Sequence, residues 1–114
     1  MCHKVIFHID ESGKWDLLLK NVANLLALAD TQTSRIEVLA NSEAVRELKN
    51  EPANPHLSSI ERLFVQGVLF AACNNALNAL GIRARELAPF VRVVPAGVLE
   101  LVERQEQGYA YIKP

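Results

Sequence analysis

The stretch VLFAACNNALNALG, residues 68–81, joins a short apolar run to a helix-forming segment that ends at a glycine. The apolar run ends in Cys73, and Asn74 and Asn75 follow it at the start of the helical part. This pattern predicts a buried strand that passes directly into a helix, with Gly81 as the left-handed residue after that helix. Cys73 would then lie at the positive end of the helix dipole, which favours the nucleophilic thiolate. Cys73 is therefore the candidate catalytic residue of this chain.

Strand and helix patterns alternate along the whole chain. The runs rich in β-branched and aromatic residues are predicted strands: 4–9, 35–40, 68–72, 91–94 and 109–113. The segments between them have helical spacing: 15–29, two shorter helices within 42–66, then 74–80 and 97–107. Several strands are continuously apolar, as strands covered on both faces are. We therefore expect one α/β domain over residues 1–114, with a mostly parallel sheet, helices on both faces and right-handed crossovers.

The composition excludes several classes of function. The 114 residues carry a formal net charge of -1, and their basic residues are scattered, so no surface for nucleic acid or anionic membrane is expected. The first apolar run, residues 5–9, is too short for a signal peptide or a membrane span, which predicts a cytoplasmic protein. In that reducing compartment a disulfide between Cys2 and Cys73 is not expected.

Polar and small residues follow the predicted strands at their carboxyl ends, where ligands bind in open α/β sheets. They are His8, Asp10 and Ser12 after the first strand, Asn41 and Ser42 after the second, Cys73, Asn74 and Asn75 after the third, and Gly97 after the fourth. If the first strand lies between the second and the third, His8, Asn41 and Cys73 share one edge of the sheet. Helix starts there offer free N–H groups to an anion such as a persulfide. The predicted substrate- or anion-binding residues are His8, Asn41, Asn74, Asn75 and Gly97.

Each of these residues also has a purely structural interpretation. Free cysteine is among the most buried residue types, so Cys73 can equally be an inert thiol packed in the core. His8 lies late in a buried strand, where a hydrogen-bonded core histidine is common, and asparagines at helix starts are often caps. Cys2, His3 and His8 are close in sequence, but no second ligand pair follows at zinc spacing, and no phosphate or dinucleotide glycine motif occurs. We therefore expect no metal and no cofactor.

Two long segments resemble one protein family. The segments QGVLFAACNNALNALGI and VRVVPAGVLELVERQEQGYAYIKP, with the opening KVIFHIDE, are similar to the small DsrE/DsrF-like (YchN-like) proteins. The resemblance implies a three-layer flavodoxin-like fold with a five-stranded parallel sheet, assembled as a homotrimer or homohexamer. In the sulfur-relay members of that family, a cysteine after the third strand carries sulfur as a persulfide, and Cys73 matches its position. Leu80 departs from the arginine that those members tend to have before the glycine.

The leading hypothesis is a sulfur-relay protein that carries sulfane sulfur as a persulfide on Cys73 within a homo-oligomer. Donor and acceptor proteins would be its partners, and its activity would be that of a sulfurtransferase-like carrier. The helix start at Asn74 would stabilise the anion, Gly97 would allow close approach, and His8 would orient the thiol or move a proton. The alternative hypothesis is a non-catalytic ligand-binding or assembly module in which Cys73 is merely packed.

The last two predicted strands bear on assembly. Arg92 lies inside an otherwise apolar strand, and Tyr109 and Tyr111 alternate in the terminal one. Aromatic and arginine residues are enriched at interfaces between subunits, but an edge strand with ordinary exposure has the same composition. From the residues alone both interpretations stay open.

Overall fold

The chain alternates strands and helices in the order that the hydrophobic pattern predicts. The computed structural model describes residues 2–114. The strands are β1 (Lys4–Ile9), β2 (Arg35–Ala40), β3 (Leu69–Cys73), β4 (Arg92–Val94) and β5 (Ala110–Ile112). The α-helices are α1 (Trp15–Leu28), α2 (Leu57–Val65), α3 (Asn74–Leu80) and α4 (Gly97–Glu106). Short 3₁₀ helices lie in the connections, at Ser12–Lys14, Ser42–Leu48 and Ala84–Glu86.

The strands form one parallel, five-stranded sheet in the order β4-β3-β2-β1-β5. The predicted three-layer α/β fold with a five-stranded parallel sheet is therefore confirmed. The supposition that β1 lies between β2 and β3 is wrong, because β2 is the central strand and pairs with both. The strand order depends on the edge of the growing sheet at which each crossover connection places the next strand. The apolar pattern of a strand does not encode this edge. The carboxyl ends still lie along one edge of the sheet, because every pair is parallel.

The connection after β2 differs from the prediction. Residues 42–48 form a 3₁₀ helix, and the side chain of Asn41 makes no capping hydrogen bond to it. Ser42 has a φ of 52°, in the left-handed region, so the chain turns sharply as it leaves the sheet. The indole Nε1 of Trp15 donates a buried hydrogen bond of 3.0 Å to the carbonyl oxygen of Ala44. This bond holds the turn after β2 against the start of α1.

Hydrophobic clusters of very different size cover the two faces of the sheet. On one face α1, α2, α3 and the 3₁₀ helix after β2 pack on a large core that includes Phe7, Val38 and Phe70. On the other, here called the α4 face, the buried cluster is small: Ile6, Leu39, Ala71, Val94 and Tyr109. Successive residues of a strand point to opposite faces, so Phe7 and Ile6 belong to different cores. Helices thus lie on both faces, but one face has a single helix over it among the described residues.

Charged side chains attach α4 to the sheet. Arg104 of α4 donates from Nε to Oε1 of Glu37 in β2 at 2.8 Å, and to Oε2 of Glu100 at 3.2 Å. Arg92 of β4 donates to the same Glu100 oxygen at 2.7 Å. The side chain of Glu37 is 1% exposed, so this carboxyl is removed from water almost completely. The cluster of Glu37, Arg92, Glu100 and Arg104 therefore joins β2, β4 and α4 through polar contacts.

The two carboxyl groups of this cluster lie close enough to share a proton. Burial is the main cause that raises the pKa of Glu37 from 4.5 to about 7, and the hydrogen bond to Glu100 and the repulsion from its charge add to it. The two arginines act in the opposite direction and lower this pKa. Burial also acts to raise the pKa of Glu100, but the hydrogen bond with Glu37 and the two arginines lower it overall. Oε2 of Glu37 is buried and accepts no hydrogen bond. Nη2 of Arg92 lies 3.7 Å from this oxygen, and a protonated Glu37 can donate to the Glu100 carboxylate, in agreement with the hydrogen bond that shifts both pKa values.

The pH dependence of stability tests this shared proton. In the unfolded chain Glu37 ionises near pH 4.5, whereas in the folded protein it keeps its proton up to about pH 7. Between these values the folded state binds more protons, so the free energy of unfolding falls as the pH rises, by up to about 3 kcal/mol. Glu37→Gln keeps the shape of the side chain and cannot ionise. We expect it to remove this fall in urea unfolding measured from about pH 5 to about pH 8.

Glu61→Gln is the matched control, because Glu61 is exposed on α2. This variant should keep the pH dependence of the wild-type protein. The stabilisation that comes from Glu100, whose pKa is lowered, is present above pH 4.5 and is lost only below it, outside the range of the test. Equal pH slopes for the wild type and Glu37→Gln would contradict the shared proton.

Candidate functional site

Cys73 lies at the edge of the sheet formed by the carboxyl ends of the strands. It is the last residue of β3, pairs with Val94 of β4, and is also the N-cap of α3. Its side chain is buried, with the residue 6% exposed, and packs with the large core. It makes no capping hydrogen bond to the helix. The predicted junction of strand, cysteine and helix is thus present, and the thiol has little exposure in a single chain.

Gly97 brings the start of α4 against Cys73 and Asn41. A Cβ atom on Gly97 would lie 3.4 Å from Cβ of Cys73, 3.3 Å from Cβ of Asn41 and 3.4 Å from its Nδ2. The distance to Cβ of Asn41 is tighter than an ordinary contact, whereas the two 3.4 Å distances are ordinary van der Waals contacts, so a side chain at this position would require Asn41 to move slightly. The structure therefore brings three of the sequence-predicted site residues into one cluster at this edge.

His8 links two neighbouring strands to the same cluster. Its Nε2 lies 3.0 Å from Oδ1 of Asn41, which follows β2, and its Nδ1 lies 2.6 Å from the hydroxyl oxygen of Tyr111 in β5. His8 is 9% exposed. The backbone N–H of Asn41 donates to the carbonyl oxygen of Ile9 at 3.0 Å, which continues the β1–β2 pairing one residue past the strand. Asn41 is thereby held in place by its main chain and by its side chain.

The asparagines after Cys73 take positions different from that of Asn41. Asn74 is the first residue of α3 and is half-buried, whereas Asn75 is exposed. Neither is the N-cap of α3, since that position belongs to Cys73. Asn74 adjoins Cys73 directly, and the side chain of Asn75 faces solvent. The closely packed cluster around the cysteine is formed by Asn41 and Gly97, which come from distant parts of the chain.

Tyr111 is a site residue that sequence reasoning missed. The sequence interpretation treated it as a residue of an edge strand or an interface, whereas the structure places its hydroxyl on His8. In β5, Tyr111 pairs with Ile6, two residues before His8 in β1, so both side chains lie on the α4 face. The alternation of side chains in parallel strands would have indicated this, but only once the pairing of β5 with β1 was known.

The remaining polar groups near this edge are neutralised or lie elsewhere. Asp10 accepts an ion pair of 3.2 Å from Nζ of Lys113, just beyond the ends of β1 and β5. Ser12, beyond the end of β1, bonds to Glu43 through its backbone N–H and its hydroxyl group. Cys2 is a free, exposed thiol, and Cys73 is free as well.

Two surface grooves lie away from Cys73. Two open grooves of about 640 and 700 Å³ run along the outer sides of α1 and α2, and residues of these helices and their flanking loops line them. Within residues 2–114 no three histidine, cysteine or acidic side chains converge as metal ligands. No helix in the described part of the chain is both long and apolar enough to cross a membrane.

Replacing Gly97 by alanine tests the close contact at this edge. Because the new methyl group would press on Asn41, we expect the free energy of unfolding to fall by about 1 kcal/mol, although alanine is the better helix former. Gly13→Ala is the control, since nothing lies within 4 Å of its added Cβ atom, and it should be neutral or slightly stabilising. Urea unfolding measures the free energy of unfolding of both variants. A Gly97→Ala protein as stable as the Gly13→Ala protein would contradict the close contact.

Comparisons with known proteins agree with this architecture. The structure superimposes on the protein of unknown function MTH1491 from Methanobacterium thermoautotrophicum with a TM-score of 0.89 and 39% sequence identity, covering 98% of this chain and 99% of that one. A comparison with curated proteins finds no match.

More distant structures share the fold alone. The conserved protein of unknown function BT1422 from Bacteroides thetaiotaomicron matches with a TM-score of 0.74 at 15% identity, over 97% of this chain and 94% of that one. The ychN protein from E. coli matches with a TM-score of 0.71 at 18% identity, over 100% of both chains.

The sequence itself matches one family model over almost its whole length. The match to the DsrE/DsrF-like family spans residues 4–114, and thus includes every strand of the sheet and the whole edge around Cys73. Together with the 39% identity to MTH1491, this match shows that the chain belongs to the DsrE/DsrF-like family.

Proposed function

We propose that this protein is a cytoplasmic sulfur carrier that holds sulfane sulfur as a persulfide on Cys73. The observation that carries the proposal is the position of this cysteine, at the carboxyl end of β3 and against Gly97 and Asn41. The DsrE-like family is associated with sulfur relay, and its relay members have their cysteine after the third strand. Ligands of open α/β sheets bind at this edge.

The transfer needs only thiol chemistry. The Cys73 thiolate attacks the terminal sulfur of a donor persulfide, a bond forms between these two sulfurs, and the donor leaves as a thiolate when its own sulfur–sulfur bond breaks. An acceptor thiolate then attacks the terminal sulfur on Cys73, and the Cys73 thiolate leaves. Each step exchanges one sulfur–sulfur bond for another, so no external oxidant or reductant is consumed. Donor and acceptor proteins are the partners that this scheme requires.

Sulfur loading of Cys73 tests the proposal. After incubation with inorganic polysulfide and removal of the excess, we expect the mass of the intact protein to rise by one sulfur atom, on the peptide that contains Cys73. Cys2→Ser is the control and should load like the wild type, because Cys2 is a separate, exposed thiol. Cys73→Ser should fold and fail to load. A wild-type protein whose Cys73 stays unmodified, or whose sulfur is found only on Cys2, would contradict the carrier function.

The burial of Cys73 favours a second candidate, a ligand-binding or assembly module without catalysis. At 6% exposure the cysteine packs with the large core as a small apolar residue would. Under this interpretation the thiol resists alkylation in the native protein, and Cys73→Ser leaves ligand binding and assembly unchanged. The carrier interpretation requires instead that iodoacetamide reach Cys73 under native conditions.

Assembly into a homotrimer or homohexamer is proposed for the α4 face. The outer side of α4 exposes Val98 by 69%, Leu99 by 48% and Val102 by 47%, and Leu69 of β3 on the same sheet face is 45% exposed. Exposed apolar side chains that cluster on one face are typical of subunit interfaces. Tyr109, considered above as an interface residue, is buried in the α4-face cluster of its own chain and does not contribute.

Charge placed on α4 tests this surface. We expect the wild-type protein to sediment as a trimer or hexamer at micromolar concentration. The double variant Val98→Glu, Val102→Glu should sediment as a monomer, because assembly of this variant would bury two added charges in the interface. Val65→Glu is the control: Val65 is 82% exposed on α2, on the opposite side of the sheet. It should keep the wild-type assembly. A monomeric wild type would contradict the interface.

A further inference from the structure

One hydrogen-bonded chain runs across three strands and ends beside Cys73. It begins at the hydroxyl of Tyr111 in β5, passes through both ring nitrogens of His8 in β1, and reaches the side-chain amide of Asn41 after β2. Tyr111 is 41% exposed, whereas His8 is 9% exposed. A phenol at the surface thus connects through a buried imidazole to an amide that packs against the same glycine as Cys73.

The chemistry of the groups gives this chain a direction. Oδ1 of Asn41 can only accept, so Nε2 of His8, 3.0 Å away, must carry the ring proton. In the neutral ring Nδ1 then has no proton and can only accept, so the Tyr111 hydroxyl at 2.6 Å donates to it. The tyrosine thereby stabilises one of the two imidazole tautomers, the one protonated on Nε2.

The tautomer in turn fixes which end of the Asn41 amide faces the cysteine. With Oδ1 bonded to His8, the Nδ2 amino group is directed at Gly97, where it lies 3.4 Å from the position of an added Cβ atom. Cβ of Cys73 lies 3.4 Å from that same position. A donor group therefore lies in the same cluster as Cys73, where it would suit an anionic sulfur. With the opposite tautomer the amide would rotate and present Oδ1, which repels an anion.

We propose that Tyr111 is a positioning residue that acts through the His8 tautomer to keep the amino group of Asn41 turned towards Gly97 and Cys73. The inference deepens the proposed function and rests on it, because a directed donor has a purpose only if Cys73 becomes an anion or a persulfide. Asn41 is the group that lies in one cluster with Gly97 and Cys73, and His8 and Tyr111 act through it.

Two variants separate the steps of this argument. Tyr111→Phe keeps the ring and removes only the hydroxyl, so the His8 tautomers lose their bias and part of the protein carries a rotated Asn41 amide. Asn41→Asp keeps the shape and replaces the amino group by an oxygen on the Cys73 side. We expect the rate of Cys73 alkylation by iodoacetamide to fall about fivefold in Tyr111→Phe and at least about tenfold in Asn41→Asp, since the amino group that would stabilise the thiolate is partly turned away in the first variant and absent in the second.

The matched control is Tyr109→Phe, which removes a tyrosine hydroxyl two residues away, at a position that does not contact His8. It should leave the alkylation rate of Cys73 unchanged.

A purely structural role for Tyr111 would leave the His8 tautomer unchanged, so the tautomer is the decisive second measurement. In nitrogen-15-labelled protein the two-bond proton–nitrogen correlations of the imidazole ring identify it. We expect the Nε2-protonated form in the wild type and in Tyr109→Phe, and a mixture in Tyr111→Phe.

The outcomes for the positioning role and for the carrier function are distinguishable. A wild-type tautomer in Tyr111→Phe, a wild-type alkylation rate in that variant, or an equal loss in Tyr109→Phe would each overturn the positioning role. The carrier function is tested by polysulfide loading of the wild type alone. If the wild type does not load sulfur while the tautomer and the alkylation rate respond as expected, the carrier function fails and the directed amide remains.

Discussion

Parallel pairing of β2 with β1 on one side and β3 on the other is the constraint on which the site depends. The register places Ile9 opposite Ala40 and Ala40 opposite Ala72, so these strands end at the same level. The pairing extends to Asn41, whose N–H donates to Ile9. Cys73, Asn41 and His8 are brought together by these main-chain hydrogen bonds, which depend little on the side chains. A shift of either strand by one residue would turn His8 or Cys73 to the opposite face.

The α4 face is held differently from the rest of the molecule. The helices on the other face are held by a large apolar core, whereas α4 is joined to the sheet by the cluster of Glu37, Arg92, Glu100 and Arg104. Buried ionic groups add little net stability but accept few alternative arrangements, so they suit a helix whose position matters. The position of α4 matters because Gly97, its first residue, packs against Cys73 and Asn41. Its outer apolar side chains remain free for the proposed interface.

Cys73 lies in one cluster with Asn41 and Gly97 and packs with the large apolar core. Leu80, at the position where relay members of the family tend to have arginine, is half-buried against the large core. The amino group of Asn41 is a neutral donor in the cluster around Cys73. A neutral donor stabilises an anionic sulfur without forming an ion pair. The sulfur is therefore held less tightly and can leave again. This property suits a carrier better than a tight anion-binding site.

The sequence by itself determined the local elements. Apolar runs predicted the five strands, and Gly81 was predicted as the left-handed residue that ends its helix, where its φ is 69°. The junction at Cys73 was predictable for the same reason, because strand, cysteine and helix are adjacent in the chain. These features depend on the backbone preferences and periodicity of neighbouring residues, and both are written in the sequence.

Tertiary structure alone decided the central position of β2, the partner of Asn41, the contact of Tyr111 with His8 and the raised pKa of Glu37. Asn41 has the sequence signature of a helix cap, yet its side chain bonds to His8, which lies 33 residues away along the chain. Tyr111 and His8 are 103 residues apart and meet because β5 pairs with β1. Each of these features requires knowledge of which strands are neighbours, and the residues of a strand do not encode the edge to which the next crossover carries the chain.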